Sequence, residues 1–364
     1  AGFFLPASNP RAMTLVGGSH ADHGATFGER GGREVVEEYG RADRTVRAVR
    51  NGVGAIEMGY GVVVVAGDDR RGVVDGAVTN DVPGSDGEGC YALVLDDGGT
   101  VEGESFVYHA GERLLLFTPP GHADTLVRRL RAVAGHDRDA DIREATTDFG
   151  VFGVHGPMAT EKIASVLHNA GAPAGAYSFV RGSMGDAGVS VVAGDAPGGE
   201  ESYEVICAAE DAEEVWMTLL SRGNGAAPFG YRTYETLTLE AGTPLFEPEI
   251  RGQTPVTLGL SGVAGVDGST DSEPERRLVG LRTDGDAEDA LPAKGATVLG
   301  EDGSVGRVTR ARWSPSLSAP IAFALVEPDA SVDAVRTESR ELSAALSSLP
   351  FVDGSERSGR LPSR

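Results

Sequence analysis

Lysine is nearly missing from this chain: Lys162 and Lys294 are the only two in 364 residues, and arginine supplies the rest of the basic side chains. Cysteine is equally scarce. Cys90 and Cys207 stand far apart without paired spacing, which argues against a disulfide framework or a cysteine zinc site and leaves two free, buried thiols in a reducing cytoplasm. Long apolar runs are absent. Although 40% of the residues are hydrophobic, no uninterrupted stretch approaches the roughly 20 residues that cross a bilayer. The opening Ala1-Gly2-Phe3-Phe4-Leu5-Pro6 lacks the basic flank and apolar length of a signal peptide. The expectation is a cytoplasmic protein with no membrane partner. Positive charge is short overall: 55 acidic residues face 32 basic ones, for a net charge of −23. Such a surface repels phosphate backbones, so nucleic acid is not an expected partner. The same self-repulsion strains a fold in dilute buffer, and salt near 1 M relieves it by shortening the Debye length to about 3 Å. We read a protein of a salt-rich cytoplasm. An acidic protein from a GC-rich genome fits the shortage of lysine as well.

What is present suffices for two or three domains. Residues 1–12 read as a disordered extension before Met13. Arg41 to Val49 reads as a helix, and the β-branched run Val62 to Val65 as a strand. Tyr91 to Leu95 and Ser105 to Tyr108 are strands around the Asp96-Asp97-Gly98-Gly99 turn. Leu114 to Phe117 is a further strand. Asp124 to Val133 is a helix with Leu126, Val127, Leu130 and Val133 on one face. From Phe149 the rhythm returns: a strand at Val151 to Val154, a helix at Met158 to Leu167, strands at Val189 to Val192 and Glu204 to Cys207, and a helix at Asp211 to Leu220. Two copies of an α+β unit would produce this pattern. Asp267 to Glu275 is polar and reads as a linker. Short strands separated by glycine turns follow it, as in a small all-β unit.

Several segments, in order, carry a family resemblance. Val46 to Val82 (VRAVRNGVGAIEMGYGVVVVAGDDRRGVVDGAVTNDV), Val151 to Leu167 (VFGVHGPMATEKIASVL) and Ser202 to Leu220 (SYEVICAAEDAEEVWMTLL) are three of them. Gly230 to Ile250 contains TLTLEAG, Arg276 to Val326 contains RRLVGL and SPSLSAPIAFA, and Leu349-Pro350-Phe351 closes the series. Together these resemble the glycine-cleavage T-protein, an aminomethyltransferase family. The resemblance implies an α+β fold of three domains arranged as a cloverleaf around a central channel, with a small C-terminal β-barrel. On that plan the folate-binding domain is discontinuous, at 13–55 and 145–250. Residues 56–144 form an inserted α+β domain, 276–352 the barrel, and 353–364 a flexible tail. The implied cofactor is tetrahydrofolate, and the implied partner a lipoyl carrier protein.

Site residues follow from the same resemblance. Glu204, in Tyr203-Glu204-Val205, stands where the family grips the amino-pyrimidine edge of the pterin. A carboxylate there accepts two adjacent N–H donors at once. Tyr203 is its neighbour in the motif. Glu104 is the nearest equivalent of the catalytic aspartate, with Glu102 as the alternative. A glutamate adds roughly 1.5 Å of reach, and a misplacement of about 1 Å can cost on the order of a hundredfold in rate. Tyr234 stands where the family has a folate-binding arginine, and Arg232 lies two residues earlier. Arg357 in the tail is a candidate partner for the carboxylates of the folate glutamate. His20-x-x-His23 with Asp22 could suggest a metal site, but the resemblance places it in an entry loop where the family holds no metal, so none is expected. Gly259-x-x-Gly262-x-x-Gly265 lacks the flanking strand and helix of a dinucleotide loop. Two other functional classes stay open. One is an iron–sulfur maintenance factor of the YgfZ type, whose K-G-C-Y-x-G-Q-E motif is absent at Phe246 to Gly252. The other is a degenerate paralogue that keeps the fold as a binding or regulatory module.

Overall fold

The computed structural model describes residues 14–266, 273–285, 291–301, 303–337 and 340–363. The expected extension at 1–12 and most of the linker lie outside the described residues. Two large sheets, a two-stranded hairpin of Thr26–Arg30 with Arg33–Glu38, and a barrel organise the described residues. The first sheet has six strands in the order Phe179–Met184, Ala187–Ala193, Ser202–Ala208, Phe149–His155, Gly54–Glu57 and Ala227–Pro228. All its pairs are antiparallel except the last. The second sheet has five, in the order Gly89–Leu95, Val101–Ala110, Arg113–Thr118, Gly61–Ala66 and Asp141–Glu144. In both sheets the first strand of the repeated unit sits beside the fourth, and the third and then the second follow outward. The strand–helix rhythm of the sequence thus corresponds to a repeated topology. The chain crosses between the sheets after Gly54–Glu57, so the insertion starts past Glu57; a boundary at 55/56 would cut that strand.

Helices cover one face of each sheet because their apolar residues recur at helical spacing. Ala123–Ala134 turns Leu126, Val127 and Leu130 onto the second sheet and stops at Gly135, whose φ of 61° suits glycine. Ala212–Ser221 buries Trp216 fully against the first sheet. These layers make a separate core for each sheet. The barrel closes in the order Arg277–Thr283, Ala319–Val326, Gly303–Ser314, Thr297–Gly300, Ala334–Arg336 and Glu341–Ser347, around its own core of Leu281, Val298, Val308 and Val335. A further core is shared. It joins Ile56 and Ile206 of the first sheet, Tyr91 and Phe106 of the second, Tyr231 and Tyr234 of the helix Tyr231–Glu240, and Phe323 of the barrel. The faces that the helices leave uncovered therefore look at one another. This is the three-domain α+β arrangement with a C-terminal barrel.

Buried carboxylates of the first domain fix the barrel to it. Glu249 meets Arg310 at 3.3 Å and accepts from Thr309. Glu240 pairs with Arg50 at 3.0 Å and accepts from Ser314 and Ser316 of the barrel. The tail also packs rather than hanging free. Phe351 donates its N–H to Glu240, Ser363 donates to Gly259, and Ser355 and Arg360 are buried. Residues 353–363 thus depart from the expected flexible tail, because their backbone and side chains find partners on the first domain. Among the described residues, no helix is long and apolar enough to cross a membrane.

Candidate functional site

The shared core is polar at its middle. Glu204 lies on Ser202–Ala208, a strand whose residues alternate between two faces. Tyr203, Val205 and Cys207 point into the helix-covered core, and Glu204 and Ile206 point to the centre. Glu204 accepts a hydrogen bond from the Tyr60 hydroxyl at 2.9 Å, its one partner among the described residues. Burial pushes its carboxyl up to about 7. Tyr60 and Arg360 draw it down, and the nearby Asp195 adds to the rise. Glu204 nonetheless keeps some solvent access.

Opposite stands Glu104, buried on Val101–Ala110. Its Oε1 accepts from the Tyr91 hydroxyl at 2.9 Å and from Arg360 Nη1 at 3.1 Å. Burial pushes this carboxyl up too, while Arg360 and Tyr91 oppose the rise. Arg360 enters from the tail and donates through Nε to Asp195 Oδ2 at 2.5 Å. Its guanidinium lies 5.4 Å from the ring centres of both Tyr91 and Phe106. Burial alone would lower its pKa, but Asp195 and Glu104 raise it well above the ordinary value. One cation thus bridges carboxylates from two domains.

Aromatic rings wall this centre. Phe106 has Tyr60, Tyr91 and Tyr177 around it at 5.5 to 6.2 Å. Phe117 packs on Tyr60 and Tyr108. Tyr231 and Tyr234 close another side beside His155. Six of the chain's eight tyrosines meet here. Among the described residues the buried Tyr177 hydroxyl has no hydrogen-bond partner, and its backbone is held at φ 63°. Burial pushes His155 down to about 4, so its ring is neutral.

Three candidates from the sequence stand elsewhere. Tyr203 is adjacent to Glu204 on a strand, hence on the opposite face, and its hydroxyl bonds Thr160 at 2.8 Å. Arg232 is two residues from Tyr234 on a helix, about 200° around it. Its partly exposed side chain meets Glu38 at 3.6 Å and lines a separate cavity of about 210 Å³ with Arg312 and Trp313. Arg357 is exposed and pairs with Glu201 at 2.9 Å; Arg360, three residues on, is the tail arginine that reaches the centre. Glu102 stays half-buried nearer the start of its strand. A groove of about 770 Å³ between Val256–Gly259 and the barrel strand Arg277–Thr283 includes none of the central carboxylates.

The model of the GCVT N-terminal domain matches residues 17–267, and that of the glycine cleavage T-protein C-terminal barrel domain matches 276–353. The chain belongs to the glycine-cleavage T-protein family. A probable aminomethyltransferase of Halobacterium salinarum is 31% identical, covering 92% of this chain and 97% of that protein. One from Haloarcula marismortui is 29% identical over the same shares, and the aminomethyltransferase of Bacillus subtilis is 27% identical, covering 86% and 90%. The crystal structure of glycine cleavage system aminomethyltransferase T from Bartonella henselae superposes with a TM-score of 0.81 at 19% identity, covering 94% of this chain and 98% of that one. It shares the fold.

In this T-protein-family chain, sequence reading missed Arg360, Asp195, Tyr60, Tyr91, Tyr108 and Tyr177. Only the tyrosines left a trace. In a chain with 6% aromatic residues, Tyr60, Tyr91 and Tyr108 each stand in or beside a strand of the insertion. Nothing local marks Asp195 or Arg360, which meet across 165 residues.

Proposed function

We propose that this chain is a tetrahydrofolate-dependent aminomethyltransferase that accepts an aminomethyl group from a lipoyl carrier protein. The observation that carries the reading is Glu204. It is a carboxylate deep between domains, held by one hydroxyl, with capacity for the paired N–H donors of an amino-pyrimidine edge. The surrounding rings suit the flat faces of a pterin. The reduced pterin supplies the nitrogens that receive the one-carbon unit as ammonia leaves. The chain itself supplies position, dryness and charge. Glu204 orients the ligand, with Tyr60 holding its carboxylate. Tyr108 and Tyr234 exclude water beside it. Glu104, in the place of the family's catalytic aspartate, holds a negative charge or a proton at the reacting end, and Arg360 fixes its rotamer. Tyr203, Arg232 and Arg357 act outside this set, in packing and surface pairing.

A second reading, a folate-binding protein without transfer activity, draws on one observation: the Glu104 carboxylate already accepts from Arg360 and Tyr91. Ammonia release from an aminomethylated lipoyl carrier in high salt decides between them. Folate-dependent release supports the transferase. Binding of tetrahydrofolate with no release supports the second reading.

A further inference from the structure

Asp195 is the least explained of the central charges. It sits in the turn between the strands Ala187–Ala193 and Ser202–Ala208. That turn is tightly specified: Ala196 adopts φ 54°, and its N–H is held by Ser202 Oγ at 3.0 Å. The tail is laid onto it. Gly359 donates its N–H to the Asp195 carbonyl at 2.7 Å, and a Cβ on Gly359 would come within 3.1 Å of Asp195 Cβ. The backbone contact and the side-chain contact to Arg360 Nε at 2.5 Å together set where the guanidinium lies.

The consequence appears on Glu104. Both hydrogen bonds it accepts, from Tyr91 and from Arg360, fall on Oε1. Among the described residues its other oxygen, Oε2, accepts none. A guanidinium facing a buried carboxylate ordinarily forms two parallel bonds, one to each oxygen. Here the bond from Nε to Asp195 turns the guanidinium so that, of its two terminal nitrogens, only Nη1 comes within hydrogen-bond distance of Glu104.

We infer that Asp195 is a positioning residue: by holding Arg360 through Nε it limits that arginine to a single bond on Glu104 and keeps Glu104 Oε2 available to a bound ligand. The inference deepens the transferase reading and relies on it for the ligand, while the geometry stands independently. The charged and titratable groups around Glu104 are Arg360, Tyr91 and Asp195. Removing the charge of Asp195 acts in one direction through both routes. It takes away a negative neighbour that raises the Glu104 carboxyl, and it weakens the charge-assisted hold on Nε that keeps Arg360 from closing on both oxygens.

The test is Asp195→Asn in the full chain, with circular dichroism in molar salt to confirm folding. The Glu104 carboxyl carbon is followed by NMR in protein labelled with ¹³C-glutamate, its signal identified by its loss in Glu104→Gln. We expect the Glu104 titration midpoint to fall by about one pH unit or more. In the ammonia-release assay kcat falls about tenfold or more while KM for tetrahydrofolate changes less than about twofold. Asp195→Glu restores part of kcat, and in an Arg360→Met background Asp195→Asn costs nothing further. An unmoved Glu104 midpoint, or equal kcat losses in both backgrounds, overturns the inference. Should the asparagine variant fail to fold, Asp195→Ser is judged by the same criteria. A wild type that releases no ammonia, combined with a shifted Glu104 midpoint, removes the transferase reading and leaves this one intact.

Discussion

Replacing Glu204 by glutamine removes a charge and little else, since the amide carbonyl still accepts the Tyr60 hydroxyl. The carboxyl stands near 7 in the fold against an ordinary value of 4.5. An acid with a raised pKa holds its proton more tightly folded than unfolded. Its contribution to stability is therefore fully present below about pH 4.5, declines as pH rises, and is lost above about pH 7. At roughly 1.4 kcal/mol per unit, the cost of carrying this charge above neutrality is about 3 kcal/mol; partial solvent access reduces it to about 2 kcal/mol. Glu204→Gln should thus stabilise the protein by about 2 kcal/mol near pH 9 and by close to nothing near pH 4.5. Denaturant unfolding in molar KCl, followed by fluorescence of Trp216 in the first domain and Trp313 in the barrel, measures both values. A stability change equal at the two pH values, or a loss near pH 9, would refute the reasoning. The same variant should bind tetrahydrofolate far more weakly, so that stability and function move in opposite directions.

Tyr60→Phe removes the hydroxyl that lowers the Glu204 carboxyl; the pH midpoint of folate affinity should move above about 7 in fluorescence titrations, and an unchanged midpoint would contradict the role given to Tyr60. Arg360→Met leaves Glu104 and Asp195 buried without their cation, at an expected cost of about 3–5 kcal/mol; a loss below about 1 kcal/mol in denaturant unfolding would mean that the pair is not stabilising. With a net charge of −23, lowering KCl from about 2 M to about 0.1 M should reduce stability reversibly by circular dichroism; salt-independent unfolding would remove the reading of a salt-adapted protein.

Much of the architecture was legible because it rests on local periodicity. Leu126, Val127 and Leu130 announced their helix, and Val62 to Val65 their strand. The barrel was foreshadowed by short strands and glycine turns, although Ala334–Arg336 has only three residues and Glu341–Ser347 no β-branched or aromatic side chain to mark it as a strand. The site was legible only in part. Glu204 was singled out from its motif, and its strand alternates it with Tyr203, Val205 and Cys207, which face the helix-covered core. That same alternation excludes Tyr203 from the centre, as helical spacing excludes Arg232 once Tyr234 points inward. Both are near a motif residue in sequence, which is not nearness on a surface. Arg360 was hidden for another reason. Its tail has the composition of a flexible segment, and what orders it is a set of acceptors on Asp195, Gly199 and Gly259 that only the folded first domain assembles.

Calorimetric titration of the intact chain with tetrahydrofolate near pH 8, in about 2 M KCl, tests the central claim most directly. The account predicts saturable binding at one site per chain in the wild type and its loss in Glu204→Gln. Equal binding by both proteins, or none by the wild type, would contradict it.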